Sequence, residues 1–157
     1  IGVDDKEYIL KGITDKLRRK YDYIILDCPP SLNMLTINAL TAATSVLVPI
    51  QCEYYALEGL SQLIHTIDLV KDRLNKKLAM EGVVFTMYDA RTNLSLQVVE
   101  NVKDNLQQNI YKTIIPRNVR LAEAPSYGQP INIYDSRSAG AEAYRLLAEE
   151  VINREDK

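Results

Sequence analysis

The sequence has little of what builds disulfide frameworks, metal centres or membrane spans. Its 157 residues include two cysteines, one histidine and no tryptophan. Cys28 and Cys52 lie far apart and form no CxxC pair, so we expect two buried free thiols in a reducing, cytoplasmic compartment. No apolar run is long enough to cross a bilayer, and no signal peptide is visible. His65 has no second histidine to share a metal with and is expected at the surface.

An excess of charge of one sign is also missing. The formal net charge is −2, so any contact with nucleic acid must come from a local basic patch. Hydrophobic residues make up 46% and charged residues 25%, which is typical of a globular domain with its own core. Because no repeat or Gly/Ser-rich linker divides the chain, we predict one domain over residues 1–157. The first residue is Ile1 rather than Met, as expected for a fragment, a processed chain or a trimmed chain.

Apolar runs with strand-like and helix-like spacing alternate along the chain. Strands are predicted at 23–26, 45–50, 82–87, 111–115 and 131–134. Helices are predicted from a cap at Asp4 or Asp5 to residue 20, and over 31–43, 57–74, 94–106 and 139–152. The residues expected to face the core in the first, fourth and last helices are Ile9, Leu10, Ile13, Leu17; Leu94, Val98, Val102, Leu106; and Ala143, Leu146, Leu147, Val151. This alternation predicts an α/β fold with a parallel sheet and helices on both faces.

Ligands of such sheets bind beyond the carboxyl ends of the strands. The segments at those positions are 27–30, 51–53, 88–93 and 116–120. Asp27 directly follows an apolar run and precedes two prolines, which form a stiff turn that fixes where the carboxylate points. In P-loop nucleotide hydrolases an acid at this place holds Mg²⁺ and helps orient the attacking water. The alternative is that Asp27 only caps the next helix or satisfies a turn.

Several motifs in order resemble one family. The string YDYIILDCPPSL at 21–32 resembles the Walker B region of the ParA/MinD group of P-loop ATPases. Three later stretches resemble the ParA/Soj branch of that group: PIQCEYYALEGL at 49–60, MYDARTNL at 87–94 and IPRNVRLAEAPSYGQP at 115–130. With DSRSAGA at 135–141, the resemblance covers the chain from about Tyr21 to its end. It implies a P-loop NTPase fold that is incomplete at its N-terminus.

The resemblance also implies roles for individual residues. Asp27 is implied as the catalytic residue, which binds Mg²⁺ through water. The residues implied at the nucleotide are Pro29, Pro30 and Ser31 near the γ-phosphate, Met87 near the base, and Pro116, Arg117, Asn118 and Val119 around the adenine. Arg91 and Arg120 are implied to bind DNA without sequence preference, which needs cationic groups facing phosphates. The alternative for these arginines is a solvated charge or an ion pair with Asp89 or Glu123.

The phosphate-binding loop itself is not in the sequence. A P-loop reads G-x-x-x-x-G-K-[ST], and none of the six glycines is followed by lysine. The resemblance places this loop and the first strand upstream of Ile1. We therefore expect that the chain alone does not hydrolyse ATP and binds it weakly or not at all. We also expect an incomplete sheet with an exposed apolar edge.

The function implied by the resemblance is that of an ATPase that segregates chromosomes or plasmids. Its cofactors would be ATP and Mg²⁺, and its partners a ParB-like protein, non-specific DNA and a second copy in the ATP-bound state, at the nucleoid in the cytoplasm. One alternative is a MinD-like cell-division ATPase, although the tail EEVINREDK is not the basic amphipathic helix of that branch. The other alternative is a non-catalytic α/β interaction module, which the missing P-loop supports.

Overall fold

A computed structural model of the chain describes residues 5–29, 31, 33–105 and 109–155. These residues form two compact units, one from the residues up to Val46 with Ser61–Glu81, and one from Leu47–Leu60 with the chain from Gly82 onward. The helices are α1 (Ile9–Leu17), α2 (Met34–Ala42), α3 (Ala56–Arg73), α4 (Asn93–Asn105), α5 (Val119–Glu123), α6 (Ile131–Tyr134) and α7 (Ala139–Glu155). The strands are β1 (Ser45–Gln51), β2 (Ala79–Tyr88) and β3 (Ile110–Pro116), and 3₁₀ turns cover Lys6–Tyr8 and Ala124–Tyr127.

The described strands form one sheet in the order β1-β2-β3, flanked by helices. Strands β2 and β3 run parallel, with Phe85 opposite Ile114 and Tyr88 opposite Pro116. Val83, Val84 and Phe85 are consecutive and all buried, as expected for a strand covered on both faces. The predicted α/β fold with a parallel sheet is therefore confirmed, as are the predicted strands at 45–50, 82–87 and 111–115.

Two predicted strands are wrong. Residues 23–26 are not a strand, and Ile25 is 89% exposed. Apolar character makes a strand only where a neighbouring strand completes its hydrogen bonds, and the described sheet contains β1, β2 and β3 alone. Cys28, which follows this segment, is exposed rather than buried, whereas Cys52 is buried as expected.

The second wrong strand is the segment 131–134, which forms the single helical turn α6. Pro130 occupies its N-cap position, and the N–H of Tyr134 donates to the Pro130 carbonyl at 2.9 Å. The N–H of Asp135 likewise donates to the Ile131 carbonyl at 2.9 Å. These local bonds replace a strand ladder, since the β-branched residues here have no strand beside them among the described residues.

In the first unit, α1 packs through only part of the predicted face, with Leu10 and Leu17 half-buried. Thr14 is buried while Ile9 and Ile13 are each 53% exposed. Asp5 precedes the 3₁₀ turn without a side-chain cap, and Asp4 lies outside the described residues. The buried Asn38 of α2 contributes two hydrogen bonds to this packing: its Nδ2 donates to the Lys6 carbonyl of the 3₁₀ turn at 2.9 Å, and its Oδ1 accepts from the Leu10 N–H of α1 at 3.2 Å.

In the second unit, two helices bury part of the predicted faces. Val98 and Val102 of α4 are buried, but Leu94 is exposed, and Leu106 lies outside the described residues. Ala143 of α7 is buried and Leu147 and Val151 pack against the core, while Leu146 is exposed. None of the helices in the described part of the chain combines the length and apolarity that a bilayer span requires.

Side chains of helix α7 form hydrogen bonds with the backbone of strand β3. The Glu150 carboxylate accepts from the backbone N–H groups of Lys112 and Thr113 at 2.8 and 2.9 Å, and from the Thr113 hydroxyl at 2.8 Å. Burial by itself would raise the pKa of Glu150, but these bonds leave it lowered. Arg154 donates to the Ile110 carbonyl at 2.8 Å. Side chains of α7 thus satisfy part of the backbone of β3 that a further strand would otherwise pair with.

Candidate functional site

The carboxyl ends of the three strands meet at one edge of the sheet in the second unit. The N–H of Cys52, after β1, donates to the Thr86 carbonyl of β2 at 3.0 Å, and the N–H of Arg117, after β3, donates to the Tyr88 carbonyl at 2.8 Å. A cleft of about 370 Å³ opens there. Its lining residues are Cys52, Glu53, Tyr54, Met87, Asp89, Thr92, Leu94, Ser95 and Arg117. The predicted segments 51–53, 88–93 and 116–120 therefore each contribute to one cleft.

The end of β2 is distorted where it reaches this cleft. The register between β2 and β3 shifts between Phe85 and Tyr88, and Met87 has a φ of 54°. A left-handed backbone is uncommon for a residue other than glycine and often accompanies a functional site. Of the residues implied at the base, Met87 and Arg117 line the cleft, while Pro116, Asn118 and Val119 are not among its lining residues.

The turn after β2 holds Arg91 toward solvent. The Asp89 carboxylate accepts three hydrogen bonds from Arg91: from the backbone N–H at 3.0 Å, from Nε at 2.9 Å and from Nη2 at 2.7 Å. These bonds hold the pKa of the Asp89 carboxyl well below its usual range. The backbone N–H of Asp89 also donates to the Ser95 hydroxyl at 3.2 Å, which ties the turn to α4. The Arg91 side chain remains 86% exposed, whereas that of Asp89 is 16% exposed.

The loop after β3 carries Arg117, and α5, which follows it, carries Arg120. Arg117 Nη2 lies 3.3 Å from Glu53 Oε1. Asn118 caps α5 by accepting from the Arg120 N–H at 3.0 Å. The Arg120 guanidinium contacts two acids, Glu123 through Nη1 at 2.8 Å and Asp135 through Nε at 3.4 Å. The ion pairs that were the alternative for Arg91 and Arg120 are thus present, and such exposed pairs are weak enough to be exchanged for other anions.

The residues implied at the phosphates belong to the first unit. Asp27 and Pro29 are exposed, and Pro30 lies outside the described residues. The Ser31 carbonyl accepts from the Thr36 hydroxyl at 2.6 Å. The N-cap of α2 is Asn33, so the alternative that Asp27 caps this helix is wrong.

The surroundings of Asp27 fit a magnesium ion held mainly by waters and phosphates, but not a metal ion enclosed by protein side chains. No group of three histidine, cysteine or acidic side chains in the described ranges could enclose a metal ion. Mg²⁺ differs from zinc in this respect, because it is commonly held by one or two carboxylates together with waters and substrate phosphates. A single exposed carboxylate at Asp27 fits that mode of binding. His65, in the same unit, is exposed as expected.

No role in the site was predicted from the sequence for Glu53, Tyr54 or Asp135. Glu53 belongs to the segment 51–53 that the strand-end rule identifies, and Tyr54 is the next residue, so the same rule could have found Tyr54 as well. Asp135 follows α6, a segment interpreted as a strand. Its contact with Arg120 depends on the helical turn that α6 forms instead.

Comparisons with known proteins agree on one family. A family model described as an AAA domain matches residues 1–80. The sporulation initiation inhibitor protein Soj of Bacillus subtilis is 61% identical over 146 residues, which cover 93% of this chain and 58% of that protein. The chromosome partitioning protein ParA of Myxococcus xanthus is 54% identical over 155 residues, which cover 99% of this chain and 55% of that protein. The chain therefore spans somewhat more than half the length of the curated relatives it matches.

A solved structure provides a nucleotide-bound comparison. Cobyrinic acid a,c-diamide synthase from Mycobacterium smegmatis, with bound ADP and magnesium, superimposes with a TM-score of 0.82 at 35% sequence identity. The match covers 99% of this chain and 56% of that one. A close structural neighbour of this fold thus holds a nucleotide together with magnesium.

Proposed function

This chain belongs to the AAA-domain family of ParA/Soj-type partitioning ATPases, and from that premise we propose that it is part of an ATPase that segregates chromosomes or plasmids. The observation that carries the proposal is the 61% identity to Soj across 93% of the chain. In the proposed cycle, ATP and Mg²⁺ bring two copies together, the dimer binds DNA without sequence preference, and a ParB-like protein stimulates hydrolysis. The physical device would be a nucleotide switch, in which the γ-phosphate orders an interface that hydrolysis releases.

The cleft at the strand ends is the proposed adenine side of the nucleotide site. Met87 and Leu94 would supply apolar contacts and Tyr54 an aromatic face, while Asp89 and Arg117 would supply polar groups. Small-molecule sites combine a mostly apolar wall with a few polar groups in this way. The neighbouring Pro116, Asn118 and Val119 are proposed to complete the packing around the base.

The residues proposed at the metal and the phosphates are those around Asp27. Asp27 would hold Mg²⁺ through water and orient the attacking water, with Pro29, Pro30 and Ser31 near the γ-phosphate. When bound, the metal supplies positive charge against the phosphate oxygens. The chain contains no P-loop, whose backbone amides and lysine would cradle those phosphates. We therefore propose that these 157 residues alone do not hydrolyse ATP.

Calorimetry tests this proposal directly. We expect no measurable heat when the 157-residue chain is titrated with Mg²⁺–ATP, corresponding to a Kd weaker than about 1 mM. The product of the complete reading frame that contains these residues should bind in the micromolar range, and Asp27→Ala in that product should weaken binding.

Two results of this titration would contradict the proposal. Clear binding by the 157-residue chain that Asp27→Ala weakens would mean that another segment supplies the phosphate contacts. A reading frame that starts near Ile1 and whose product binds no ATP would favour the non-catalytic interaction module. The partitioning role is preferred to a cell-division role because the two curated relatives described above are named Soj and chromosome partitioning protein ParA.

A further inference from the structure

The arginines near the proposed DNA-binding surface are already paired with carboxylates. Arg91 lies in the loop after β2, Arg117 in the loop after β3, and Arg120 in α5, which follows that loop. They contact four carboxylates, which belong to Asp89, Glu53, Glu123 and Asp135. Non-specific binding to DNA depends on cations that replace the counterions of the phosphates. In this conformation, each of these cations already has an anionic partner within the same unit.

Arg91 and Arg120 differ in which nitrogens of the guanidinium group already contact carboxylates. Asp89 engages Nε and Nη2 of Arg91, which leaves Nη1 and an 86% exposed side chain for a phosphate. Arg120 is contacted by separate acids at Nη1 and at Nε, and its side chain is 53% exposed. A phosphate can therefore approach Arg91 Nη1 without breaking the ion pair with Asp89, whereas at Arg120 it competes with a carboxylate at both Nη1 and Nε.

Glu123 is held in place as the principal competitor at Arg120. Its carboxylate accepts from the Tyr134 hydroxyl at 3.0 Å in addition to Arg120 Nη1 at 2.8 Å. The Tyr134 ring stacks on Tyr127, with centroids 5.1 Å apart and planes 27° apart. The bonds from Arg120 and Tyr134 lower the pKa of Glu123, so the carboxylate stays charged at neutral pH.

We propose that Glu123, oriented by Tyr134, competes with DNA phosphate for Arg120 and thereby sets the strength of DNA binding at this surface. This inference rests on the proposed function, in which Arg120 contacts DNA. Replacing the Glu123 carboxylate by an amide removes the competing charge at Arg120 Nη1, while Asp135 stays at Nε, so one phosphate can take the place of the Glu123 carboxylate. One added phosphate contact steepens the dependence of log affinity on log salt by about 0.9, equivalent to about eightfold tighter binding at about 0.1 M salt.

The test compares Glu123→Gln with a control of equal charge change. The control is Glu142→Gln on α7, which removes an acid that pairs with Arg145 on the exposed surface. Binding of labelled double-stranded DNA of mixed sequence is followed by fluorescence anisotropy over a series of salt concentrations. The protein is the product of the complete reading frame, with Mg²⁺–ATP present, and circular dichroism verifies that each variant is folded.

The expected result for Glu123→Gln is about eightfold tighter binding per copy and a steeper salt dependence, with little change for Glu142→Gln. The gain should disappear when Arg120→Ala is added, and Tyr134→Phe should give a smaller gain because the carboxylate is less fixed. Equal gains in both glutamine variants, or a gain that survives Arg120→Ala, would mean a general charge effect and overturn the proposal.

The outcomes also separate this inference from the proposed function. If Arg120→Ala weakens binding while Glu123→Gln leaves it unchanged or weaker, the competition is disproved and the DNA-binding role of Arg120 stands. If no variant binds DNA, or if Arg120→Ala has no effect in either background, both the competition and the proposed DNA-binding role of Arg120 are wrong.

Discussion

In the Glu123→Gln background, replacing Arg91 and Arg120 together by alanine should weaken DNA binding about sixtyfold per copy at about 0.1 M salt. In that background each arginine is proposed to bind one phosphate, and removing one such ion pair should reduce the salt dependence of that copy by about 0.9. Per copy, the double substitution therefore flattens the slope by about two and lowers the affinity by nearly two orders of magnitude. The measurement is the salt dependence of anisotropy with DNA of several sequences, which should all be affected equally because phosphate contacts carry no sequence information.

The matched control for this prediction is Arg145→Ala on α7. Arg145 is also an exposed arginine in an ion pair, but it lies outside the loops that follow β2 and β3. The two losses are compared as changes in log affinity. If Arg145→Ala loses half as much as the double variant, any surface arginine contributes equally to DNA binding. An unchanged affinity in the double variant would disprove the assignment of Arg91 and Arg120 to DNA.

Tyr111→Ala should lower the free energy of unfolding by about 4 kcal/mol. Tyr111 of β3 is 2% exposed and lies in the core with Val84, Ile115 and Ala143. The guanidinium carbon of Arg154 lies 3.8 Å from the centre of its ring, which adds a cation–π interaction. Truncation would leave a cavity between β3 and α7 and remove that interaction. Since whole domains are stable by only about 5–15 kcal/mol, a large part of the stability would be lost.

The Tyr111 ring packs directly against Gly82, where a larger residue would not fit. A Cβ at Gly82 would lie 2.8 Å from Tyr111 Cε2 and 3.0 Å from the Asn109 carbonyl oxygen, closer than side chains pack. The glycine of β2 is therefore explained by the ring that fills the site beside it.

Urea denaturation with a tyrosine control measures the effect of Tyr111→Ala. Tyr55, which is 74% exposed and contacts Tyr54 edge to face, is the matched residue. Tyr55→Ala should change the free energy of unfolding by less than about 0.5 kcal/mol. A loss below about 1 kcal/mol for Tyr111→Ala would contradict the packing described between β3 and α7.

The central strands could be predicted because their sequences are continuous apolar runs. Val83, Val84 and Phe85 have this pattern and are buried in β2. The rule that a continuous apolar run forms a strand failed at 23–26. Such a run shows that the residues are apolar, but not that a neighbouring strand is present to pair with them. The rule failed again at 131–134, where Pro130 and local hydrogen bonds produced a helical turn.

The position of the candidate site was predictable from topology, but its ion pairs were not. The strand-end rule identified three segments that do meet in one cleft. The contact between Glu53 and Arg117 joins residues 64 positions apart, and no local spacing rule predicts it. The acids nearest in sequence to the arginines, Asp89 and Glu123, were foreseen as partners because short separations constrain side chains more strongly.

The most direct test of the central claim is the nucleotide dependence of DNA binding by the product of the complete reading frame. With Mg²⁺–ATP, this protein should bind mixed-sequence DNA, and omission of ATP or the substitution Asp27→Ala should abolish binding under the same conditions. That result would support a nucleotide switch that controls the surface of Arg91 and Arg120. Equal DNA binding with and without ATP, or no binding in either condition, would contradict an ATP-dependent partitioning function.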